Sequence, residues 1–170
     1  NGCVSPASTV NLLVQQPPIG NASSNSPICA GQAIHLNAGS NSSNSTYSWT
    51  GPNGFSSNQQ NPNIANSTTA MAGTYSMIVT ANGCPGSAVT TNLVINPVPT
   101  APTASSNSPV CAGQQIQLNA STGLTGVTFA WSGPNGYSSV LQNPVRNNST
   151  LNMSGTYSVS LVLNGCPGPA

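Results

Sequence analysis

The strongest constraint on the fold of this chain is an internal repeat. Residues 22–88 match residues 104–170 at 39 of 67 positions in an alignment without gaps. Landmark residues return 82 positions later: Cys29, Trp49, Tyr75 and Cys84 recur as Cys111, Trp131, Tyr157 and Cys166. Self-similarity of this kind predicts consecutive copies of one small structural unit, each packed mainly against its neighbours.

The N-terminus extends the same series. Asn1-Gly2-Cys3 matches Asn82-Gly83-Cys84, and the segment from Val10 to Val14 resembles the segment from Thr91 to Ile95. We therefore interpret residues 1–17 as the last strand of a preceding repeat. Residues 18–97 are predicted to form a complete repeat, and residues 98–170 a repeat that lacks its last strand. These two segments are called the first and second repeat below, and the chain is interpreted as part of a longer array.

Each repeat has the sequence pattern of short β-strands. Polar and apolar residues alternate from Gln32 to Asn37, as expected for a strand with one buried face. Asn82-Gly83 lies between two β-rich runs and predicts a hairpin, because both residues tolerate positive φ. No segment has helical periodicity over a helix length. The sequence thus predicts an all-β fold, with six or seven short strands per repeat in an antiparallel sandwich.

Two landmarks make the predicted sandwich immunoglobulin-like. Trp49 is placed on the third strand, 20 residues after Cys29, and Gly73-Thr74-Tyr75 opens a late strand where a tyrosine corner would lie. The alternation places these apolar residues in the core: Ile34, Leu36, Trp49, Tyr75, Met77, Val79, Leu93 and Ile95, with Ile116, Leu118, Trp131, Tyr157, Val159 and Leu161 as their equivalents.

The near absence of charged side chains excludes most kinds of catalytic and ion-binding site. Arg146 is the single Lys or Arg, and the chain has no Asp or Glu. A paired-acid glycosidase site, a Ser-His-Asp triad and a carboxylate cage for Ca²⁺ all need groups that the chain lacks. One cation forms no basic patch for nucleic acid, and no apolar run is long enough to span a membrane. The sequence predicts no catalytic residue, no metal ligand and no cofactor, and indicates a structural or binding protein that is not an enzyme.

The isolated candidates for a site have simpler interpretations. His35 aligns with Gln117, which favours an outward strand position. Arg146 aligns with Ile64 and is expected at the surface or stacked on an aromatic ring. Trp49 and Trp131 are interpreted as core residues rather than sugar-stacking platforms. Four aromatic residues are left that could line a shallow surface: Tyr47, Phe55, Phe129 and Tyr137.

Several strings carry a resemblance to a known family. SNSPVCAGQQIQL, WSGPNGYSS, QNP, MSGTYSV and NGCPG resemble the tandem immunoglobulin-like (PKD-like) repeats of giant bacterial cell-surface adhesins, closest to gliding-motility adhesins exported by the type IX pathway. The resemblance covers essentially the whole chain. It implies an extracellular stalk or filament segment at the cell surface, used in attachment or gliding. Its partners would be neighbouring repeats of the same chain, and other copies in a filament or surface glycans. The alternative function is a carbohydrate- or surface-binding module of a secreted protein.

The five cysteines lack a zinc-like Cys-x-x-Cys spacing and point to disulfides in an oxidising compartment. Cys29 precedes the second strand and Cys84 follows the hairpin after the sixth. These strands run parallel in an immunoglobulin sandwich, so the two cysteines would lie about 23 Å apart, beyond the roughly 7 Å that a disulfide allows between Cα atoms. An inter-repeat bond from Cys29 to Cys166 is therefore preferred. Intra-repeat bonds joining Cys29 to Cys84 and Cys111 to Cys166 stay open.

Overall fold

Strands make up most of the regular structure in a computed structural model that describes residues 2–170. The strands between residues 20 and 96 are β1 (Gly20–Ser24), β2 (Ile28–Cys29), β3 (Ile34–Ser40), β4 (Ser45–Gly51), β5 (Phe55–Ser57), β6 (Asn63–Ile64), β7 (Gly73–Ala81), β8 (Cys84–Pro85), β9 (Val89–Leu93) and β10 (Ile95–Asn96). Those that follow are β11 (Thr103–Ser106), β12 (Ile116–Ser121), β13 (Val127–Gly133), β14 (Tyr137–Ser139), β15 (Val145–Arg146), β16 (Ser158–Leu163) and β17 (Cys166–Pro167). The helical content of the described residues is limited to four 3-10 turns: Pro52–Gly54, Thr69–Met71, Pro134–Gly136 and Leu151–Met153.

The first repeat consists of two antiparallel sheets and a short parallel pair. One sheet has the order β1-β3-β6; in the other, β5, β4 and β7 are neighbours, and β7 also pairs with β8 and β9. The parallel pair joins β10 to β2 and aligns Ile95 with Ile28 and Asn96 with Cys29. Among residues 2–170 every strand pairing lies within a single repeat. The predicted all-β fold of antiparallel sheets is confirmed.

Strand alternation explains the core of the first repeat. On β3, Ile34 and Leu36 point inward while His35 between them is exposed. The β7 strand has the same period, with buried side chains at every second position from Tyr75. The cluster that results contains all the residues that the alternation placed there: Ile34, Leu36, Trp49, Tyr75, Met77, Val79, Leu93 and Ile95.

The second repeat has the same arrangement but lacks counterparts of β2, β9 and β10. Its buried cluster is smaller and consists of Leu118, Ala120, Trp131 and Val159, while Leu161 is also fully buried. Tyr157, expected in the core, is only partly buried, and so is Ile116. In the first repeat β7 begins at Gly73 and pairs with β9 from there. The second repeat has no such partner, so β16 begins only at Ser158.

Asparagine and glycine supply the left-handed positions that the tight turns need. Asn82 and Gly83 have φ values of 49° and 78° and connect β7 to β8, which is the hairpin that the dipeptide predicts. Asn53, in the Gly-Pro-Asn-Gly turn, has φ 55°. Asparagine is suited to such positions because its short polar side chain tolerates the left-handed region.

Residues 2–19 contain no strand and are almost entirely exposed. Five apolar side chains in this segment are at least 78% exposed: Val4, Val10, Leu12, Leu13 and Val14. Asn1, the first residue of the predicted strand segment 1–17, lies outside the described residues. The boundaries 1–17, 18–97 and 98–170 remain predictions.

Candidate functional site: the disulfide-bridged joint between the repeats

A disulfide joins Cys29 of the first repeat to Cys166 of the second. The Cα atoms of the two cysteines are 5.6 Å apart, although 137 residues separate them in sequence, and Cys166 is 1% exposed. This is the inter-repeat bond that the strand directions favoured. Cys3, Cys84 and Cys111 are free thiols in the structure.

The parallel pairing of β10 with β2 explains why these cysteines meet. It carries the end of the first repeat back to the edge where Cys29 lies, so the second repeat starts beside that residue. The Asn96 side-chain amide then donates a hydrogen bond to the carbonyl oxygen of Asn164, at 3.1 Å, in the hairpin turn just before Cys166. The hairpin of the second repeat therefore lies against the last strand of the first.

A close approach between the linker backbone and the hairpin of the second repeat further restrains the joint. A Cβ atom at Gly168 would lie 2.4 Å from the Pro99 carbonyl oxygen, far inside van der Waals contact. At the equivalent position in the first repeat, Gly86, a Cβ atom would lie 2.3 Å from the Pro18 carbonyl oxygen. Only glycine permits this approach of linker and hairpin. The closely spaced prolines of the linker, Pro97, Pro99 and Pro102, favour an extended conformation and stiffen it further.

A buried serine holds the turn that carries Cys29. The hydroxyl of Ser67, which is 3% exposed, donates to the Cys29 carbonyl oxygen at 3.4 Å. Its backbone carbonyl accepts from the Gly31 N–H at 2.7 Å, and its own N–H donates to the Gln32 carbonyl oxygen. The second repeat reproduces this arrangement with Ser149 and Cys111. Sequence reasoning missed these serines; the available signal was the recurrence of Asn-Ser-Thr at 66–68 and 148–150.

The aromatic residues of the first repeat pack on one another. The Tyr75 hydroxyl donates to the Met71 carbonyl oxygen at 3.0 Å, which is the contact of a tyrosine corner. Phe55 packs edge-on against the Tyr75 ring, with centroids 5.5 Å apart. Burial desolvates the Tyr75 phenol and raises its pKa above the ordinary value. Phe55 is partly buried by this packing, and so are Tyr47, Phe129 and Tyr137.

Arg146 is held by two tyrosines of the second repeat. Its guanidinium carbon lies 4.5 Å from the centroid of the Tyr137 ring, and Nη1 donates a hydrogen bond to the Tyr157 hydroxyl. Stacking on an aromatic ring stabilises the positive charge of Arg146, which has no carboxylate side chain to pair with. Of the two positions expected for Arg146, the structure shows the aromatic stack.

The remaining sequence candidates form no chemical site. His35 is exposed, and its backbone N–H donates to the Asn25 side chain. Trp49 and Trp131 are at most 3% exposed, and each indole N–H donates to the carbonyl oxygen of a glutamine, Gln60 or Gln142. Residues 2–170 contain no cluster of three or more His, Cys, Asp or Glu side chains that could hold a metal ion. No helix in the same residues is long and apolar enough to cross a membrane.

The two-sheet arrangement, the buried tryptophans and the tyrosine corner define an immunoglobulin-like β-sandwich fold. Residues 21–95 match the family model of the PKD domain, so the fold is PKD-like as well as immunoglobulin-like. This fold is typically non-enzymatic, and together with a disulfide it is typical of extracellular domains.

Solved structures agree with this fold class. The chain is similar to one in the crystal structure of a mouse coronavirus receptor-binding domain complexed with its murine receptor. The identity is 11%, the TM-score is 0.55, and the match covers 88% of this chain and 95% of the other. Murine CEACAM1b is similar at 11% identity and a TM-score of 0.51, with the same coverage. These likenesses concern the fold alone. No curated protein matches the chain.

Proposed function

We propose that the chain is a non-enzymatic stalk or filament segment of a secreted bacterial cell-surface adhesin used in attachment or gliding motility. Residues 18–97 and 98–170 act as successive units of the stalk, and residues 1–17 belong to a unit before them. The observation that carries the proposal is the Cys29–Cys166 disulfide, because it connects one repeat to the next rather than bracing either one internally.

The position of this bond determines how the chain bears load. Tension applied at the two termini passes from Cys29 directly to Cys166, so the residues between them lie outside the path of the force. The enclosed segment contains the strands from β3 to β16. A stalk built in this way resists extension through a covalent bond and does not depend on the strength of the sheets.

The chemistry of the surface is consistent with an inert spacer. The chain has no carboxylate side chain, and its single cation is stacked between tyrosines. Asn, Ser and Thr supply 65 of its 170 residues, so solvation depends little on salt or pH. Extracellular location at the cell surface and export by the type IX pathway are part of the proposal, and the sequence strings quoted above support them by resemblance.

The alternative, a carbohydrate- or surface-binding module, needs exposed aromatic platforms. The two loop aromatics best placed for this, Phe55 and Tyr137, instead pack edge-on against Tyr75 and Tyr157. The contacts therefore favour the stalk. A glycan array probed with the chain separates the two functions, because specific binding of a glycan would support the module and count against an inert stalk.

The direct test of the stalk is single-molecule pulling between the two termini. We expect the oxidised protein to extend only by the residues outside the 29–166 loop. After reduction, the 137 residues of the loop should add a contour length of about 480 Å. The Cys166→Ser variant should give the long extension without reductant, and Cys3→Ser should behave like the parent chain. Full extension of the oxidised parent chain would contradict the proposal.

A further inference from the structure

The two repeats are connected by two covalent paths. One is the backbone linker at residues 97–102, and the other is the disulfide from Cys29 to Cys166. The linker is the exposed path, since Thr100 is exposed and Val98 is 41% exposed. Exposed linkers and loop tips are the positions at which proteases cut folded chains. In a tandem array that is joined by its linkers alone, one such cut separates the repeats.

The disulfide is the protected path. Cys166 is 1% exposed, and Cys29 is partly buried. The Asn96 side chain donates to the Asn164 carbonyl oxygen at 3.1 Å, which ties the hairpin around Cys166 to the end of the first repeat. A reducing thiolate has to reach one of the two sulfur atoms, and the burial of Cys166 limits this access. The connection that is hidden from solvent therefore bridges the one that is exposed.

Most of the chain lies inside the loop that the disulfide closes. The loop includes the linker and exposed connectors of both repeats, among them Ser87 between β8 and β9. Val140 and Leu141, in the connector from β14 to β15, are 77% and 63% exposed. When the backbone is cut at any point in this loop, one fragment contains Cys29 and the other contains Cys166. Both fragments thus stay in one covalent molecule, whereas a cut outside the loop releases a fragment.

Strand pairing holds a cut repeat together. Among residues 2–170 every strand pairing lies within a single repeat, so a cut in the linker breaks none of them. A cut at Ser87 separates β9 and β10 from the earlier strands in sequence. In space β9 remains paired with β7 from Gly73 to Met77, and β10 remains paired with β2. Leu93 of β9 is 1% exposed, so this strand is also anchored in the core.

We propose that the Cys29–Cys166 disulfide has a second function, which is to keep the two repeats connected after the backbone between these cysteines has been cut. A protease hydrolyses one peptide bond, so that one water is consumed and a new carboxyl group and a new amino group form. The disulfide takes no part in this reaction, which needs no oxidant or reductant. The chain loses the continuity of its backbone and keeps a covalent connection between its ends. The inference rests on the disulfide and holds for a stalk and for a binding module alike.

The composition of the chain makes trypsin a suitable tool for the test, because Arg146 is the single Lys or Arg. Arg146→Ile removes this site and supplies the residue that the first repeat has at the equivalent position, Ile64. In that background, Ser87→Arg and Thr100→Arg each create one trypsin site, the first between β8 and β9 and the second in the linker. Both positions are exposed, and the residue after each of them is alanine, which permits cleavage.

The oxidised variants are digested with trypsin until no uncut chain remains on reducing gels, with urea below the unfolding transition to speed a slow cut. After the free thiols have been blocked, we expect one species under non-reducing denaturing conditions, with the mass of the uncut chain plus one water. Reduction should split Thr100→Arg into residues 1–100 and 101–170. Both sites lie between Cys84 and Cys111, so bonds within the repeats would not hold the fragments. Two separate fragments without reductant would overturn the proposal.

Further measurements test the retained structure and the need for the bond. The near-ultraviolet circular dichroism of Trp49 and Trp131 should survive the cut, and its loss would refute the proposal. On native size exclusion at micromolar concentration, cut Thr100→Arg should stay one particle, and the same chain with Cys166→Ser should separate into its two repeats. If that chain stays together, noncovalent contacts hold the repeats and the proposal is wrong. Val10→Arg, at a 91% exposed position outside the loop, is the matched control and should release residues 1–10 with or without reductant.

Discussion

Cys29 and Cys166 are bonded across the joint between two repeats, 137 residues apart in sequence and 5.6 Å apart between Cα atoms. The bond belongs to the joint and not to either core, since the buried members of the two hydrophobic clusters come separately from residues 28–95 and 118–159. The stability of each repeat and the rigidity of the joint can therefore be changed independently.

Cys166→Ser should loosen the joint while each repeat stays folded. We expect hydrogen exchange of the Ala30 amide, which donates to the Asn96 carbonyl oxygen at 2.9 Å beside the disulfide, to accelerate at least tenfold, because the covalent restraint on the joint is lost. The near-ultraviolet circular dichroism of Trp49 and Trp131 should be unchanged, since both side chains remain buried in their own repeats. Cys3→Ser is the control, as Cys3 is exposed and unbonded. Loss of the tryptophan signal in Cys166→Ser would contradict this assignment.

The sequence was sufficient to predict features that follow from local periodicity and repetition. Alternation placed Ile34, Leu36 and Tyr75 in the core, and they are buried there. The direction of the strands was also enough to prefer Cys29–Cys166 over Cys29–Cys84, because parallel strands place the start of one and the end of the other at opposite ends of the sandwich.

Other features depend on contacts between residues that are distant in sequence. Gln60 and Asn61 belong to a recurring string, but their role appears only in three dimensions: Gln60 Nε2 donates to the Ala38 carbonyl oxygen, and Asn61 Oδ1 accepts from the Ala38 N–H. Their side chains thus bond the backbone of Ala38 at the edge of β3 opposite β1, where β6 has already ended. The partial exposure of Tyr157 likewise depends on a neighbouring strand, which its own local sequence does not reveal.

Gly168→Ala should weaken the joint by about 1–3 kcal/mol, the usual cost of forcing added atoms into a packed contact. The new methyl group would lie 2.4 Å from the Pro99 carbonyl oxygen. Because one atom is part of the backbone and the other is attached to it, neither can move away without a shift of the backbone. The measurement is the equilibrium between dithiol and disulfide at Cys29 and Cys166 in glutathione buffer, which should shift at least about fivefold toward the dithiol.

The control for this substitution is Gly123→Ala. A Cβ atom at Gly123 meets no other atom within 4 Å, so this variant should leave the disulfide equilibrium unchanged. A similar shift in both variants would mean that the contact between Gly168 and Pro99 does not define the joint.

Asn61→Ala should destabilise the first repeat by about 1–3 kcal/mol, because the N–H of Ala38 then lacks its acceptor inside the sandwich. Ala38 is 7% exposed, so water does not readily replace the lost bond. The free energy of unfolding in urea, followed by tryptophan fluorescence, measures the effect. Asn58→Ala, at an exposed position three residues earlier, should change this free energy by less than about 0.5 kcal/mol. An equal loss of unfolding free energy in the two variants would indicate that the bond to Ala38 is not the cause, and that removing any asparagine has the same effect.

Burial raises the pKa of Tyr75 above its ordinary value, so the folded protein keeps the phenolic proton to higher pH than the unfolded chain does. Stability from this group is complete below the unfolded pKa of about 10 and is lost as pH rises through the folded value, at up to about 1.4 kcal/mol per pH unit. Since the chain has no Asp or Glu, the free energy of unfolding should be nearly constant from about pH 5 to pH 9 and fall only above about pH 10.

Tyr75→Phe tests this assignment. The variant loses the hydrogen bond to the Met71 carbonyl oxygen, so its stability at neutral pH should be lower by about 1 kcal/mol. Its decline above pH 10 should be shallower than that of the parent chain, because the group whose proton the fold retains is gone. Urea denaturation at closely spaced pH values between about 5 and 11.5 measures both effects. If the free energy of unfolding of Tyr75→Phe falls above pH 10 as it does in the parent chain, Tyr75 is not the source of that fall. A steep change of the free energy of unfolding between pH 5 and 9 would show that a group other than a side-chain carboxylate is coupled to folding.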